Sequence, residues 1–473
     1  MRTLSLCLAV CAALTLPQPA LAAKRWPYGD VLVAAFNKGD FAAASTALRA
    51  ELAKCQAARP VADECLGLLL SASNIANSTG DAQLGEVYAR QALALAQRTL
   101  PAGHPDIATS WNNLALSIHE QGRATEAEPL FRKALALREA ALPARHPDIA
   151  IGWDNLASNI MAQGRAVEAE PLYRKALALF EAARPAGHPD IATSWTNLAS
   201  NIAAQGRAAE AESLDRRALA LREAALPAGH PAIAASWNNL ASNIHAQGRA
   251  TEAEPLFRKA LALREAALPA GHPHIATSWN NLASNIEAQG RTADAEPLHR
   301  KALALREAAL PAGHPDVAAS WNNLALNISA QRRAAEAEPL HRKALALYEA
   351  ALPVGHPNIA TSWTNLAVNI QAQGRFADAE PLYRKALVLR EAALATFHPH
   401  RIDSYWMLAA NLQRRRTAPS EVRQRYRQAQ AGAFERMASF TGYTPAAQAE
   451  VRKYRPIFTG QVRAAWDLAS GAR

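Results

Sequence analysis

The amino-acid sequence of 473 residues predicts an all-α fold, an α-solenoid of stacked antiparallel helical hairpins. The first observation is a repeat: the stretch that begins at His104 returns almost unchanged at steps of 42 residues, up to the copy that begins at His356. The second observation is that each copy contains two apolar stripes at helical spacing, separated by a glycine. Such a unit cannot bury its apolar faces alone, so neighbouring units must stack.

The first half of each unit predicts a helix. In the copy that begins at His104, Pro105 suits the first helical position, and Asp106 places a negative charge in the first turn, where the helix dipole favours it. Gln121 and Gly122 end the helix, because glycine can adopt the left-handed conformation after the last turn. One apolar face follows at helical spacing: Trp111, Leu114, Ala115 and Ile118.

The second half of each unit predicts a second helix. Its acidic residues come early and its basic residues late, which matches the sign of the helix dipole. Pro129 fits this helix if it lies in the first turn, where backbone N–H groups have no helical partner. The apolar stripe comprises Ala127, Leu130, Phe131, Ala134 and Leu137.

These residues resemble the tetratricopeptide repeat family, whose signature spacing they match from Trp111 to Ala134. The unit length of 42 and the Asn-Asn-Leu-Ala and Ala-Glu-Pro-Leu strings look most like the kinesin light chain subgroup. The resemblance covers residues 104–397 strongly and the flanks weakly. It implies a right-handed superhelix with a concave groove, lined mainly by the first helices, that binds peptides or protein partners.

Residues 1–22 predict a signal peptide. Arg2 supplies the positive start, residues 4–16 form a short apolar region, and Ala20-Leu21-Ala22 is a small-residue cleavage motif. The apolar region is too short to span a membrane as a permanent helix. The alternative is a buried N-terminal helix of the solenoid. We therefore expect an exported protein, periplasmic or secreted, without a transmembrane segment.

Residues 23–103 predict degenerate helical repeats that cap the array. Residues 31–36 and 41–52 suggest one hairpin, and residues 66–76 and 84–100 suggest another. Cys55 and Cys65 lie in the connection between them, and two cysteines in an exported chain favour a disulfide. Free buried thiols are the alternative. A metal site is disfavoured, because two cysteines without a nearby histidine do not complete a tetrahedral ligand set.

Residues 398–473 predict a degenerate final repeat and a basic helical cap. The pattern persists for one first helix, then dissolves into an arginine-rich stretch, and a last helix is expected over about residues 446–470. Residues 104–397 contain 29 basic and 29 acidic side chains, so the net charge of +10 is mainly a property of this tail. A cationic stretch over residues 414–427 can meet an anionic surface. The alternative is a solvated helical face.

The repeats carry no basic stripe and no aromatic platform, which disfavours nucleic acid as a partner. Phosphate-binding loops, zinc-protease helices and nucleophile elbows are absent from the sequence, so we expect neither an enzyme nor a cofactor. The histidines of the His-Pro pairs lie on different hairpins. They are therefore expected to cap helices rather than to bind a metal.

One asparagine recurs in every first helix on the side opposite to the apolar stripe, in a row with Thr109, Leu116 and Glu120. Its seven copies are Asn113, Asn155, Asn197, Asn239, Asn281, Asn323 and Asn365. The family resemblance implies that this asparagine lines the groove and hydrogen-bonds the backbone of a bound peptide. The alternative is that these amides bridge neighbouring helices.

A second asparagine series is expected to be structural: Asn159, Asn201, Asn243, Asn285, Asn327 and Asn369. The residues just past the apolar stripe vary, and this variation predicts side-chain selectivity: His119, Met161, Ala203, His245, Glu287, Ser329 and Gln371. Asp215, His299 and His341 replace an aromatic residue of the second helix. They are expected to be locally exposed or to mark a softer part of the outer layer.

Two functions remain. The favoured one is an exported, non-catalytic scaffold that binds a peptide or protein partner in the groove of the superhelix. The other is a structural spacer of the cell envelope that docks through its basic tail.

Overall fold

The computed structural model describes residue 52 and residues 63–78, 81–310, 313–438 and 445–469. The described elements are all helices, paired in consecutive hairpins, and the predicted all-α solenoid is confirmed. The first helices of the seven repeats are Pro105–Glu120, Pro147–Ala162, Pro189–Ala204, Pro231–Ala246, Pro273–Ala288, Pro315–Ala330 and Pro357–Ala372. The second helices are Ala124–Ala141, Ala166–Ala183, Ala208–Ala225, Ala250–Ala267, Thr292–Ala309, Ala334–Ala351 and Phe376–Ala393. We number these repeats 1 to 7 in chain order.

Each first helix begins at the proline of the His-Pro pair, with the histidine as its N-cap. In repeat 1, Nδ1 of His104 accepts a hydrogen bond from the backbone N–H of Asp106 at 3.2 Å. The same bond recurs in all seven repeats and at His398, at 3.1 to 3.2 Å. A side-chain acceptor at this position satisfies one of the free N–H groups of the first turn. The predicted capping role is therefore confirmed.

The turn between the two helices of a repeat uses a residue with positive φ. Gly122 has φ 77°, and glycine occupies this position in every repeat except repeat 6. There Arg332 adopts φ 64°. A residue with a Cβ atom is strained in this region, so repeat 6 contains the least favourable turn of its kind.

The second helix begins earlier than the sequence suggests, and Pro129 lies inside it rather than in its first turn. Proline at this depth removes a hydrogen bond to the carbonyl group four residues earlier. Both Pro129 and Thr125, which bears that carbonyl group, are exposed, so water can satisfy the carbonyl oxygen. Repeat 3 has Ser213 at the same place and forms the same helix.

The core runs along the stack as successive clusters of buried apolar side chains. The leucine, alanine and isoleucine of each first helix are almost completely inaccessible to solvent, as Leu114, Ala115 and Ile118 illustrate. Each helix contacts the helices before and after it in the chain. None of the described helices has the length and apolar character that a membrane span requires.

The edge of the array at the inter-helix turns carries a ladder of ion pairs. Glu212 of repeat 3 accepts hydrogen bonds from Gln247 at 2.9 Å and from Arg249 at 2.7 Å, both from repeat 4. Its other carboxylate oxygen accepts one from Arg216, one helical turn further on, at 2.7 Å. Equivalent glutamates link every pair of neighbouring repeats: Glu86, Glu128, Glu170, Glu254, Glu296 and Glu338. These carboxylates couple each repeat to the next.

The flanks continue the array. Helices Asp63–Ser78 and Ala82–Thr99 form the second of the two predicted N-terminal hairpins. Residues 1–22, the first predicted hairpin and Cys55 lie outside the described residues. Cys65 is disulfide-bonded, and its predicted pairing with Cys55 stays a prediction.

The C-terminal flank differs from the expectation in one respect. The repeat pattern does not dissolve after the first helix, because Pro399–Arg415 is followed by a regular partner helix, Pro419–Ala438. Arg427 is exposed and Arg423 and Arg425 are half-buried, while Val422, Tyr426 and Ala429 form the buried stripe of this helix. We call this hairpin repeat 8. The last helix, Pro445–Ala469, packs on it as predicted.

Candidate functional site

The first helices form the inner, concave side of the array. First helices of successive repeats contact each other, as Pro189–Ala204 contacts Pro231–Ala246. Among the described helices, contacts of that extent do not occur between successive second helices. Helices that lie closer together must lie on the side with the smaller circumference. The row that includes Thr109, Asn113, Leu116 and Glu120 faces this side, and we call this row and its equivalents the concave row.

The concave row is partly accessible and almost uncharged. Asn113 is buried, but its six equivalents are half-buried, and the alanines that replace Glu120 in repeats 2 to 7 are exposed. Those six repeats contribute only small or aliphatic side chains and asparagine to the row. Charged residues occur instead on the second helices and at the edges. The surface thus offers amides, hydroxyls and methyl groups to an extended chain.

The predicted asparagines lie in this row, and five of them also bridge repeats. The amide of Asn155 donates to Oδ1 of Asn112 in repeat 1 at 2.9 Å, and the amide of Asn281 donates to Oδ1 of Asn238 in repeat 4 at 2.8 Å. Asn113, Asn197 and Asn365 make corresponding bonds to the preceding unit, at 3.2 to 3.4 Å. The bridging alternative therefore holds for these five side chains, whose amide nitrogens are engaged, and peptide binding by the row stays a prediction.

Asn239 and Asn323 differ, because their side chains make no hydrogen bond within the described residues. The acceptor position for Asn239 is Thr196, whose hydroxyl donates to a carbonyl group of its own helix at 2.9 Å. The acceptor position for Asn323 is Asn280, whose Oδ1 lies 2.9 Å from Nδ1 of His299. These contacts alone do not account for the missing bonds, since Oδ1 of Asn322 lies 3.1 Å from Nδ1 of His341 and still accepts from Asn365. The amides of Asn239 and Asn323 are nevertheless unbonded among the described residues.

The acceptor series that begins at Asn112 was not singled out from the sequence. Its members are Asn112, Asp154, Thr196, Asn238, Asn280, Asn322 and Thr364, each directly before an asparagine of the concave row. Six of the seven are buried. The sequence signal was present, because each position carries a side chain able to accept a hydrogen bond at the same 42-residue step.

Asp154 is the one carboxyl group in that series. Burial raises its pKa to about 8, and the hydrogen bond from Asn197 opposes this rise. Its Oδ1 has no hydrogen-bond partner among the described residues. At neutral pH the group is therefore largely protonated and replaces the neutral amide that most other repeats have there.

The second asparagine series is buried and structural, as predicted. Asn159 lies 3.1 Å from Nδ1 of His119, Asn285 lies 3.0 Å from Nδ1 of His245, and Asn327 donates to Glu287 at 2.7 Å. Asn369 donates to Ser329 at 2.7 Å. The variable residues past the apolar stripe are thus partners of the next repeat's asparagine. Their variation reflects repeat contacts at least as much as selectivity for a ligand.

Two variable residues, Met161 and Ala203, have no oxygen or nitrogen atom in the side chain to pair with the asparagine of the next repeat. In each case that asparagine has a different partner. After Met161, Asn201 donates to the backbone carbonyl of Ala166 at 2.9 Å. After Ala203, Asn243 donates to Oδ2 of Asp215 at 3.2 Å.

The expectation that Asp215, His299 and His341 are locally exposed is wrong. Their accessible fractions are 4%, 1% and 0%. Each fills the aromatic position and lies within hydrogen-bond distance of an asparagine, as His341 does at 3.1 Å from Oδ1 of Asn322. Burial raises the pKa of Asp215 to about 7.

The basic tail is partly neutralised by the array itself. Arg415 pairs with Glu380 of repeat 7, and Arg425 lies 3.4 Å from Glu421. Arg414, Arg416 and Arg427 are exposed. Among the described residues no cluster of histidine, cysteine and acidic side chains is arranged to hold a metal ion.

The tetratricopeptide repeat family model matches residues 64–140, 148–224, 190–266, 232–308, 274–350 and 358–433. A kinesin light chain-like protein from Podosopora anserina with nearly identical TPR-like repeats is 28% identical, with a TM-score of 0.38, over 43% of this chain and 96% of that chain. BtubC (BKLC) from P. vanneervenii is 23% identical, with a TM-score of 0.39, over 52% of this chain and 92% of that chain. The apo quorum sensor NprR from B. thuringiensis is 16% identical, with a TM-score of 0.49, over 76% of this chain and 97% of that chain. No curated protein matches significantly.

Proposed function

Since this chain belongs to the tetratricopeptide repeat family, we propose that it is an exported, non-catalytic scaffold that binds an extended segment of a partner protein along the concave row. Repeats of this family generally mediate interactions between proteins. The observation that carries the proposal is the pair Asn239 and Asn323, whose amides lie half-buried in the row without a hydrogen-bond partner among the described residues. An amide has two donors and one acceptor oxygen, which suits the backbone of an extended peptide.

The chain supplies a matched set of variants for the test. Asn239→Ala and Asn323→Ala remove amides that make no hydrogen bond to the residues that the structure describes, whereas Asn155→Ala and Asn281→Ala remove bridging amides. The first pair should change the free energy of unfolding by no more than about 0.5 kcal/mol. The second pair should cost about 1 kcal/mol per site, because each leaves a buried acceptor unsatisfied.

Binding is measured with peptides mapped from proteins that the mature chain captures in its native compartment, by titration calorimetry. Asn239→Ala with Asn323→Ala should weaken binding about fivefold or more, since each lost hydrogen bond costs roughly 0.5–1.5 kcal/mol. Unchanged affinity in this double variant, with normal folding, contradicts binding by the asparagine row.

Export rests on residues 1–22 and is tested separately. The exported protein should begin at Ala23, and intact-mass spectrometry that finds residues 1–22 still attached contradicts this part of the proposal. The alternative function, a spacer that docks on an envelope surface, is favoured by the exposed Arg414, Arg416 and Arg427. It predicts that alanine at these three positions releases the protein from anionic vesicles and leaves peptide binding unchanged.

A further inference from the structure

We propose that the concave row lines a closed channel, because the array completes a superhelical turn in six repeats and its successive turns touch. The channel admits an uncharged, linear polypeptide segment and excludes folded domains. This inference rests on the proposed function, since it specifies which kind of partner the concave row accepts.

The first contact joins repeat 1 to repeat 7. A Cβ atom built on Gly122 would lie 2.4 Å from Cδ of Pro357 and 3.3 Å from Cδ2 of His356. His356 also hydrogen-bonds the backbone of Glu120. His356 is buried in this contact.

The second contact repeats the first one unit later. A Cβ atom on Gly164 in repeat 2 would lie 2.6 Å from Cδ2 of His398 in repeat 8. Gly248 and Gly290, at the inter-helix turns of repeats 4 and 5, make no such contact, because a Cβ atom on either would meet nothing within 4 Å. The same offset of six repeats thus occurs twice in succession, which is what a superhelix with touching turns requires.

Both contacts join opposite edges of the array. Gly122 and Gly164 lie at the turns inside a repeat, and His356 and His398 lie at the connections between repeats. Every helix runs from one edge to the other, so the helices lie roughly along the superhelix axis, with the first helices inside. Contact between the edges leaves no open side through which a groove could be approached laterally.

The expected width of the channel follows from helix geometry. Six helices in a ring at about 10 Å spacing have their axes about 10 Å from the centre, and a helix with side chains has a radius of about 5 Å. An opening about 10 Å wide remains, which is the thickness of an extended chain with its side chains. A domain of 100 residues, with a radius of gyration of about 13 Å, does not fit.

The lining selects for uncharged segments. From repeat 2 to repeat 7 the concave row contains no charged residue. The nearest charges are the guanidinium groups of Arg222, Arg306 and Arg390, which are engaged with threonines of the row at 3.0 to 3.4 Å. A charged side chain that entered this narrow space would lose its hydration without a counter-charge on the row itself, and such desolvation is costly.

Access to an introduced cysteine tests the channel in the mature chain without any partner. Ser242→Cys lies in the concave row of repeat 4, and Ser213→Cys lies exposed on a second helix and serves as the control. The two probes are a small methanethiosulfonate and a maleimide coupled to a folded domain of about 100 residues. We expect the small reagent to label both positions within about tenfold of each other, and the domain-bound maleimide to label Ser242→Cys at least about 100-fold more slowly. Comparable rates with the large probe, or no reaction with the small one, overturn the proposal.

The glycine turns provide the second arm. Gly122→Asn with Gly164→Asn should push the turns apart and speed labelling of Ser242→Cys by the large probe at least about tenfold. Gly248→Asn with Gly290→Asn has the same positive φ and open space around it, so it should leave the rate unchanged. Equal rates in the two double variants overturn closure by these contacts, and the first arm remains decisive if the contact variants fail to fold. If the large probe is excluded but no peptide binds, the proposed function is refuted and the channel is not.

Discussion

At the scale of the residue, buried polar side chains in this protein form hydrogen-bonded pairs, either within a repeat or between neighbouring repeats. Asn155 needs the oxygen of Asn112, and Asn243 needs Asp215 where Ala203 cannot serve. Satisfied pairs of this kind contribute little net stability, but an unsatisfied member is costly. The contribution of each buried polar residue to stability therefore depends on its hydrogen-bond partner in another helix.

Asp154 gives a prediction with a defined pH dependence. Burial raises its pKa to about 8, so the cost of this group to folding grows as the pH rises from the unfolded-state pKa of about 4 to about 8 and is constant above. Below the unfolded-state pKa of about 4 the group is protonated in both states and the cost disappears. Asp154→Asn should therefore raise the free energy of unfolding at pH 8 by about 1–3 kcal/mol and have little effect at pH 4.

The reverse change, Asn238→Asp in repeat 4, provides the control for Asp154→Asn. It should destabilise the protein at pH 8 and not at pH 4, as measured by urea unfolding across this range. A benefit of Asp154→Asn that is equal at both pH values would show that shape, not charge, sets the effect.

At the scale of the element, much of the fold could be predicted from the sequence, because its determinants are local. The His-Pro pair and the glycine turn mark where the first helix begins and ends, and the structure places both within a residue of the expectation. Pro129 misled the prediction of the second helix, since an exposed carbonyl group tolerates proline beyond the first turn. The helix Pro419–Ala438 was missed because its arginines obscured a short apolar stripe.

The candidate site could be predicted only in part, for a physical reason. Helical periodicity places the asparagines opposite to the apolar stripe, and they do lie there. Which amides bridge is not decided by residue type alone: Asn365 donates to Asn322 although that oxygen also faces His341, whereas Asn323 does not bond Asn280, which faces His299. The contact of Gly122 with Pro357 depends on small rotations summed over six repeats, which no local pattern contains.

The turn of repeat 6 gives a prediction at this scale. Arg332→Gly removes the strain of a left-handed arginine, which costs the folded state about 1–2 kcal/mol. Glycine also makes the unfolded chain more flexible, which offsets roughly 0.5–1 kcal/mol of that gain. The variant should be more stable by about 0.5–1 kcal/mol in urea unfolding. Gly290→Arg makes the opposite change in repeat 5, where a Cβ atom meets nothing within 4 Å, and should lose a similar amount. Stabilisation by both changes would contradict backbone strain as the cause.

At the scale of the whole molecule, the ion-pair ladder links the repeats along one edge. Burial alone would raise the pKa of Glu212, but hydrogen bonds from Gln247, Arg216 and Arg249 outweigh it and lower the pKa. Stability from such a group is present above its unfolded-state pKa of about 4.5 and is lost as the pH falls through the folded value. The stability that the ladder contributes is therefore lost in acid, whereas the destabilisation by Asp154 disappears in acid.

Glu212→Gln tests this coupling. It should cost about 1 kcal/mol, because the carboxylate receives bonds from two repeats, and the loss should shrink in 1 M salt. Glu252→Gln, which removes only an exposed pair with Arg249 within one repeat, should cost no more than about 0.5 kcal/mol. Hydrogen exchange should show the junction of repeats 3 and 4 loosened only by the first change. Equal losses in both variants would mean that the ladder contributes no coupling between repeats.

The buried pairs of His299 with Asn280 and of Asp215 with Asn243 bear on how so repetitive a chain assembles. Nearly identical helices can exchange places during folding, and a helix docked one unit out of position would bury almost the same apolar surface. These polar side chains distinguish the units. If the helix that carries His299 docked on repeat 3, two units out of position, its imidazole would face the hydroxyl of Thr196 in place of the amide of Asn280. Such a shift exchanges one hydrogen-bond partner for another of different geometry, so the polar side chains at the aromatic position make otherwise similar units non-equivalent.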